Sequence, residues 1–82
     1  MSEIYKNKYD SYKKILDELI NKIQDNDTEI KKYDNYTDEH KQKNKYKMLI
    51  VKIKQKKLID QCEYYLLITN MYYNIYIKSL NQ

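Results

Sequence analysis

Apolar side chains recur through the first half of the chain in alternating steps of four and three residues. The series begins at Tyr5, ends at Tyr33 and contains one polar member, Asn26. A seven-residue repeat brings its members onto one side of an α-helix and is typical of a coiled-coil seam. Asn26 leaves two interpretations open: a buried polar residue that fixes the register, or an additional turn at residues 25–28. The members of this seam are Tyr5, Tyr9, Tyr12, Leu16, Leu19, Ile23, Asn26, Ile30 and Tyr33.

Neither glycine nor proline occurs among the 82 residues, so the strongest breaks between short strands and loops are missing. The sequence therefore indicates an all-α chain, broken where weaker turn residues cluster. Asp34 and Asn35 favour a turn, and Thr37 followed by Asp38 suits the N-cap and first turn of a new helix. The expected elements of this single domain are helix 1 at about 3–33, a loop at about 34–37 and helix 2 at about 38–80.

Helix 2 carries two apolar stripes, whereas helix 1 carries one. An apolar surface on more than one side of a helix needs more than one partner, so helix 1 is expected to leave one stripe uncovered. The stripe expected to pack on helix 1 consists of Met48, Val51, Gln55, Leu58, Cys62, Leu66 with Tyr65, Thr69, Tyr73 with Tyr72, Tyr76 and Leu80. The second stripe consists of Tyr46, Ile53, Tyr64, Leu67, Ile68, Met71 and Ile75.

Folding the chain near residue 36 gives a coiled-coil-like antiparallel helical hairpin. This register places Ile23 near Ile50 and Tyr5 near Ile68, so the residues from Asn70 onward extend past helix 1. Because an exposed apolar patch usually marks an interface, we expect self-association into a helical bundle, with a homodimer favoured, or docking of another helical protein. The alternative is a three-helix monomer in which helix 2 bends back on itself. The expected interface residues are Tyr64, Leu67, Ile68, Met71, Tyr72, Ile75 and Tyr76.

Lysine is concentrated in residues 41–59, which hold eight lysines and no acid, whereas residues 1–40 hold seven lysines and ten acids. The lysine block predicts an alternative function, nucleic-acid binding through phosphates without sequence preference, because the chain lacks the arginine that base readout commonly uses. The simpler interpretation is a solvated face that pairs with helix 1 acids such as Asp10, Asp17 and Glu18. The candidate phosphate contacts are Lys43, Lys47, Lys54 and Lys57.

A membrane partner is not expected from the sequence. The lysine block and the apolar block follow one another along the chain, whereas a helix that lies on a membrane carries them on opposite faces. The longest nearly uncharged run, Tyr64–Ile77, is shorter than the roughly 20 residues that span a bilayer. The first residues lack the apolar region of a signal peptide, so an intracellular location is expected.

Residues that could carry chemistry are sparse. His40 is the single histidine, and Cys62 is the single cysteine and lies on the first stripe, where a small buried hydrophobe is typical. A zinc site needs several such ligands, and a phosphate-binding loop needs glycine. We therefore expect no catalytic residue, no metal and no cofactor. The sequence predicts a non-enzymatic protein-interaction or assembly module that works through the second apolar face of helix 2.

Overall fold

A computed structural model describes residues 2–81, which form an all-α antiparallel hairpin. Helix α1 spans Ser2–Asp34, α2 spans Asp38–Lys43 and α3 spans Lys45–Leu80. The two long helices pack side by side along their length and form a rod of 63 × 15 × 14 Å. The predicted fold class, an all-α helical hairpin, is confirmed. Because α3 runs to Leu80 without bending back, the three-helix monomer is not the structure that the chain adopts.

The connection between the long helices starts at the residues where the sequence places the loop. After α1, the backbone N–H of Tyr36 donates to the carbonyl of Tyr33 at 3.0 Å and closes a final turn. Thr37 is extended, and its hydroxyl oxygen accepts a hydrogen bond from the backbone N–H of His40 at 3.3 Å. This bond satisfies one of the free N–H groups at a helix start, so Thr37 is the N-cap of α2, as predicted.

The predicted continuous helix from about residue 38 to 80 is wrong, because Asn44 interrupts it. The Asn44 backbone lies outside the helical region (φ −104°, ψ 10°), and its side-chain amide donates to the carbonyl of His40 at 2.8 Å. Asparagine side chains compete in this way with the helical hydrogen bonds of the backbone. The six residues of α2 therefore belong to the connection, and α3 starts at Lys45.

The longer connection changes the register of the hairpin. The Gln55 side-chain amide donates to the carbonyl of Ile23 at 2.9 Å, where the sequence placed Ile50. At the far end of the rod, the rings of Tyr9 and Tyr73 lie 5.5 Å apart. The predicted extension of α3 beyond α1 from Asn70 onward is therefore wrong over the described residues, while its last residue, Gln82, lies outside them. Helix α1 accompanies α3 almost to its end.

The seam of α1 is confirmed at every predicted position. Leu16 and Leu19 are buried, and the other members are half-buried. Helix α1 is continuous through residues 25–28, so the additional turn does not form and Asn26 stays in the seam.

The seam of α3 is confirmed in its first part and corrected in its second. Leu66 is 47% exposed, and Tyr73 and Leu80 are also exposed, although the ring of Tyr73 contacts that of Tyr9. The residues before them, Tyr65, Tyr72 and Ser79, are half-buried. The observed seam of α3 consists of Met48, Val51, Gln55, Leu58, Cys62, Tyr65, Thr69, Tyr72, Tyr76 and Ser79.

Aromatic rings fill the seam near the chain ends. The ring of Tyr12 lies 6.1 Å from that of Tyr65 and 5.5 Å from that of Tyr72, with which it stacks at an interplanar angle of 5°. Thr69 lies between these two tyrosines in the seam of α3 and is only 4% exposed. A small side chain at this position leaves room for the large rings in a closely packed seam. Its hydroxyl has no hydrogen-bond partner among the described residues.

Candidate interaction surface

Helix α1 leaves one side of α3 uncovered, and most of the predicted interface residues lie there. Leu67 is 72% exposed and Tyr64 is 60% exposed, and Met71 is also exposed. Ile68 and Ile75 are half-buried at the edge of the same stripe, next to the seam. These five residues form the surface that we call the outer stripe.

Two predicted interface residues have a different place. The ring of Tyr72 stacks on Tyr12, and the ammonium group of Lys8 lies 5.6 Å from the centre of the same ring. Tyr76 is also a half-buried member of the seam. Their assignment to the interface followed from the wrong register, which left this end of α3 without a partner. The contacts of Tyr72 are made within the chain, so we leave both residues out of the candidate surface.

A second line of exposed apolar residues flanks the seam of α3 on the other side, and the sequence analysis missed it as a surface. The spacing of seven between its members was the signal that could have revealed it, because residues seven apart lie on the same side of a helix in a hairpin of this kind. Between residues 59 and 80, α3 is therefore apolar on both sides of its seam. The members of this line are Ile59, Leu66, Tyr73 and Leu80.

The four lysines proposed as phosphate contacts do not form one group. Lys43 belongs to α2, where it lies 3.5 Å from Glu39, whereas Lys47, Lys54 and Lys57 lie on α3. Lys54 and Lys57 line an open groove of about 380 Å³ between the long helices. The other residues that line this groove are Lys22, Asp25, Asn26, Leu58 and Gln61.

Acids of α1 do not pair with the lysine block. Within the part of the chain that the structure describes, every ion pair joins residues four apart in one helix. Asp17 pairs with Lys13 at 3.2 Å, and neither Asp10 nor Glu18 forms an ion pair there. The predicted pairing between α1 acids and the lysine block is therefore wrong, and nucleic-acid binding through these lysines stays a prediction.

The side chains that are typical of catalytic or metal sites lie apart from one another. Cys62 is half-buried in the seam of α3, and the ring of His40 meets that of Tyr36 edge-on at 5.8 Å. Among residues 2–81, no three histidine, cysteine or acidic side chains come close enough together to hold a metal ion. The outer stripe is thus the feature of the described chain from which a function can be argued.

Two further observations bear on what this surface can do. Across residues 2–81, no helix combines the length and the apolar character that crossing a membrane requires. Comparison of the chain with protein-family models, with curated proteins and with solved structures found no match in any of the three.

Proposed function

We propose that the protein is a non-enzymatic helical interaction module that associates with a second copy of itself through the outer stripe. The exposure of Leu67 carries this proposal, since 72% of a large aliphatic residue faces water in the middle of the most apolar part of the chain. Fully burying such a side chain contributes about 1.5–3 kcal/mol. The outer stripe places several of them on one side of one helix.

The hairpin itself cannot cover the outer stripe. Helix α1 is already packed on the seam of α3, and its own outer face is charged, with acids such as Glu3, Asp10 and Asp17 exposed to water. Helix α2 has six residues and lies at the opposite end of the rod from the stripe. A partner must therefore come from outside the chain.

A second copy suits the outer stripe because an apolar stripe can pack against an identical apolar stripe. It contains no charged residue, so it offers no electrostatic preference for a partner of opposite charge. Residues 64–75 span about 18 Å along a straight helix, and a two-fold axis near their centre would bring Leu67 and Met71 of each copy together. A two-fold interface uses the same patch on both copies, so one apolar stripe is sufficient.

The same interface would complete a four-helix bundle. Small chains bury only about 60% of their unfolded surface and gain stability from oligomerisation. The free energy of unfolding should therefore rise with protein concentration, as it does for any protein whose folded state binds a partner.

Sedimentation equilibrium tests the proposal directly. We expect the unmodified chain to have twice the mass of one 10.2 kDa chain in the micromolar range. Leu67→Gln combined with Met71→Gln should yield a folded monomer, because glutamine keeps a good helix propensity and removes the apolar contact.

The matched control is Leu49→Gln combined with Ile50→Gln, which changes two equally exposed residues of α3 outside the stripe and should leave the dimer intact. A monomeric unmodified chain, or a dimer that survives the change at Leu67 and Met71, would contradict the proposal.

A further inference from the structure

A separate group of exposed apolar side chains lies near the start of α3. They follow the i, i+3, i+4, i+7 spacing of one helix face. Met48 and Val51 of the same segment are buried against α1, so this face points away from α1. Leu49 and Ile50 are each 54% exposed. We call this face the apolar ridge, and its members are Tyr46, Leu49, Ile50 and Ile53.

Lysines border the apolar ridge on both sides. All of them are exposed, and none takes part in an ion pair with another residue of the range 2–81. No acid occurs in residues 41–59. At 3.6 residues per turn, Lys57 lies on the ridge face one turn after Ile53, and the flanking residues are Lys45, Lys52 and Lys56 on one side and Lys47 and Lys54 on the other.

Helix α1 forms the side of the rod opposite the apolar ridge. Helix α1 packs on the face of α3 that carries Met48 and Val51, opposite the apolar ridge. Residues 1–40 carry ten acids and seven lysines, and the outward-facing acids of α1 include Asp17 and Glu18. Within α1 itself there are eight acids and seven lysines, so the side of the rod opposite the apolar ridge is close to neutral and the basic excess lies on α3. Asp25 of α1 lines the groove beside Lys54 and Lys57, whereas the ridge face of α3 carries no acid because residues 41–59 contain none.

We propose that residues 45–57 dock the hairpin flat on an anionic lipid surface. The apolar ridge enters the boundary between headgroups and acyl chains, and the flanking lysines reach the lipid phosphates with their ammonium groups while their methylene stems cover apolar surface. Basic residues near an anionic leaflet add electrostatic attraction. Such docking requires no membrane-spanning helix.

The structure removes the reason for which the sequence disfavoured a membrane. The expectation from sequence compared the lysine block with the C-terminal apolar run, which follows it along the chain. It did not consider the apolar residues inside the lysine block itself. Within residues 45–57, the seam takes Met48 and Val51, and the remaining apolar residues form a ridge with lysines on both sides and Lys57 at its end. This segment is therefore a basic amphipathic helix in its own right.

A lipid surface explains more of this face than a nucleic acid does. Phosphates of DNA or RNA would use the lysines, because that attraction is electrostatic, but they would leave Leu49 and Ile50 in water. An anionic bilayer neutralises the lysines and buries the apolar ridge between them. The ridge is also bordered by lysines on both sides. A lipid surface can adapt to such a face more easily than a narrow groove in another protein.

Co-sedimentation with lipid vesicles tests this proposal with the full chain. We expect binding to vesicles of phosphatidylcholine mixed with phosphatidylserine, little binding to pure phosphatidylcholine, and a decrease with added salt. Leu49→Gln combined with Ile50→Gln should weaken binding to the mixed vesicles by about tenfold or more, although the net charge is unchanged. Circular dichroism should show an unaltered helix content, since both residues are exposed.

The control is Leu67→Gln combined with Met71→Gln, which should keep vesicle binding whether or not the chain self-associates. The docking proposal does not depend on the dimer, so either can fail alone. No binding, equal binding to neutral and anionic vesicles, or equal loss in both double variants would overturn it. Tighter binding to duplex DNA that ignores the change at Leu49 and Ile50 would assign the lysines to nucleic acid and overturn it as well.

Discussion

Helices α1 and α3 share one seam but differ in everything that faces away from it. The outer face of α1 carries charged side chains, some of them paired within the helix, such as Lys31 with Asp27. The outer face of α3 carries the apolar ridge near its start and the outer stripe near its end, for example Ile53 and Leu67. A heptad pattern therefore predicts which helices pair. The residues outside the pattern show whether the pair leaves apolar surface exposed to water. Helix α1 exposes only scattered isoleucines, Ile4, Ile15 and Ile20, whereas α3 exposes apolar residues that line up along its faces.

The largest expected effect contrasts the seam with the outer stripe. Leu19 of α1 is 7% exposed, so Leu19→Ala should reduce the free energy of unfolding by about 2–5 kcal/mol. Leu67→Ala should stay within about 0.5 kcal/mol of the parent when the chain is dilute and monomeric, and should lose more at high concentration. Urea unfolding at two protein concentrations measures both. Equal losses in the two variants at low concentration would remove the distinction between the two surfaces.

A smaller loss is expected at Leu66, which the sequence placed in the seam. Because 47% of this residue is exposed, Leu66→Ala should cost about 1 kcal/mol, roughly half the value of a fully buried aliphatic side chain. The same urea titration, with Leu19→Ala beside it, provides the comparison. A loss as large as that of Leu19→Ala would mean that Leu66 packs on α1 and that the register described above is wrong.

Thr69→Val is expected to stabilise the protein by about 1 kcal/mol. The change removes a buried hydroxyl without a hydrogen-bond partner and keeps the branched shape, and leaving such a group unpaired costs about 1–3 kcal/mol. The matched control on α1 is Thr28→Val, whose hydroxyl is exposed and donates to the Gln24 carbonyl at 3.0 Å. Thermal unfolding should show a higher midpoint for Thr69→Val alone. A lower midpoint would indicate that the hydroxyl has a partner in solution.

The smallest effect concerns charge on the outer faces. Lys31→Gln removes an exposed ion pair of 3.0 Å with Asp27 near the C-terminus of α1 and should cost about 0.3–0.5 kcal/mol. Lys56→Gln on α3 removes a lysine that forms no ion pair within residues 2–81, and it should have no cost. Thermal unfolding at low and high salt compares them. Salt should abolish the loss at Lys31 because it screens exposed charges.

The sequence was sufficient to predict α1 because its pattern has only one phase. Most residues beside the seam are polar, and the exceptions Ile4, Ile15 and Ile20 do not recur in steps of three and four, so no second series competes with the seam. From Tyr64 onward, α3 offers apolar residues at adjacent positions, such as Tyr65 with Leu66 and Tyr72 with Tyr73. Both choices fit the periodicity. Only the packing of α1 against one of them decides, and this information is not local to the segment.

The break at Asn44 could not be read from the sequence for a different reason. Asparagine occurs eight times in this chain, and Asn7, Asn21 and Asn70 all lie inside helices. What distinguishes Asn44 is the hydrogen bond of its side chain to the carbonyl of His40, and the residue type alone does not predict this bond. Counting α2 as the start of helix 2 gave the predicted register, which the contact of Gln55 with Ile23 corrects.

The antiparallel register also orders the hairpin by loop length. The contact of Tyr33 with Lys41 closes 8 residues of chain, and that of Ile23 with Gln55 closes 32, whereas the tyrosine contacts near the chain ends close still longer loops. The entropy cost of closure grows with loop length, so the contacts between α1 and α3 should form first near the turn. The end of the hairpin that holds the chain termini should form last and fray first. That end carries the outer stripe. Association through the outer stripe would therefore stabilise the part of the hairpin that folds last, and a second copy would reduce fraying of the first.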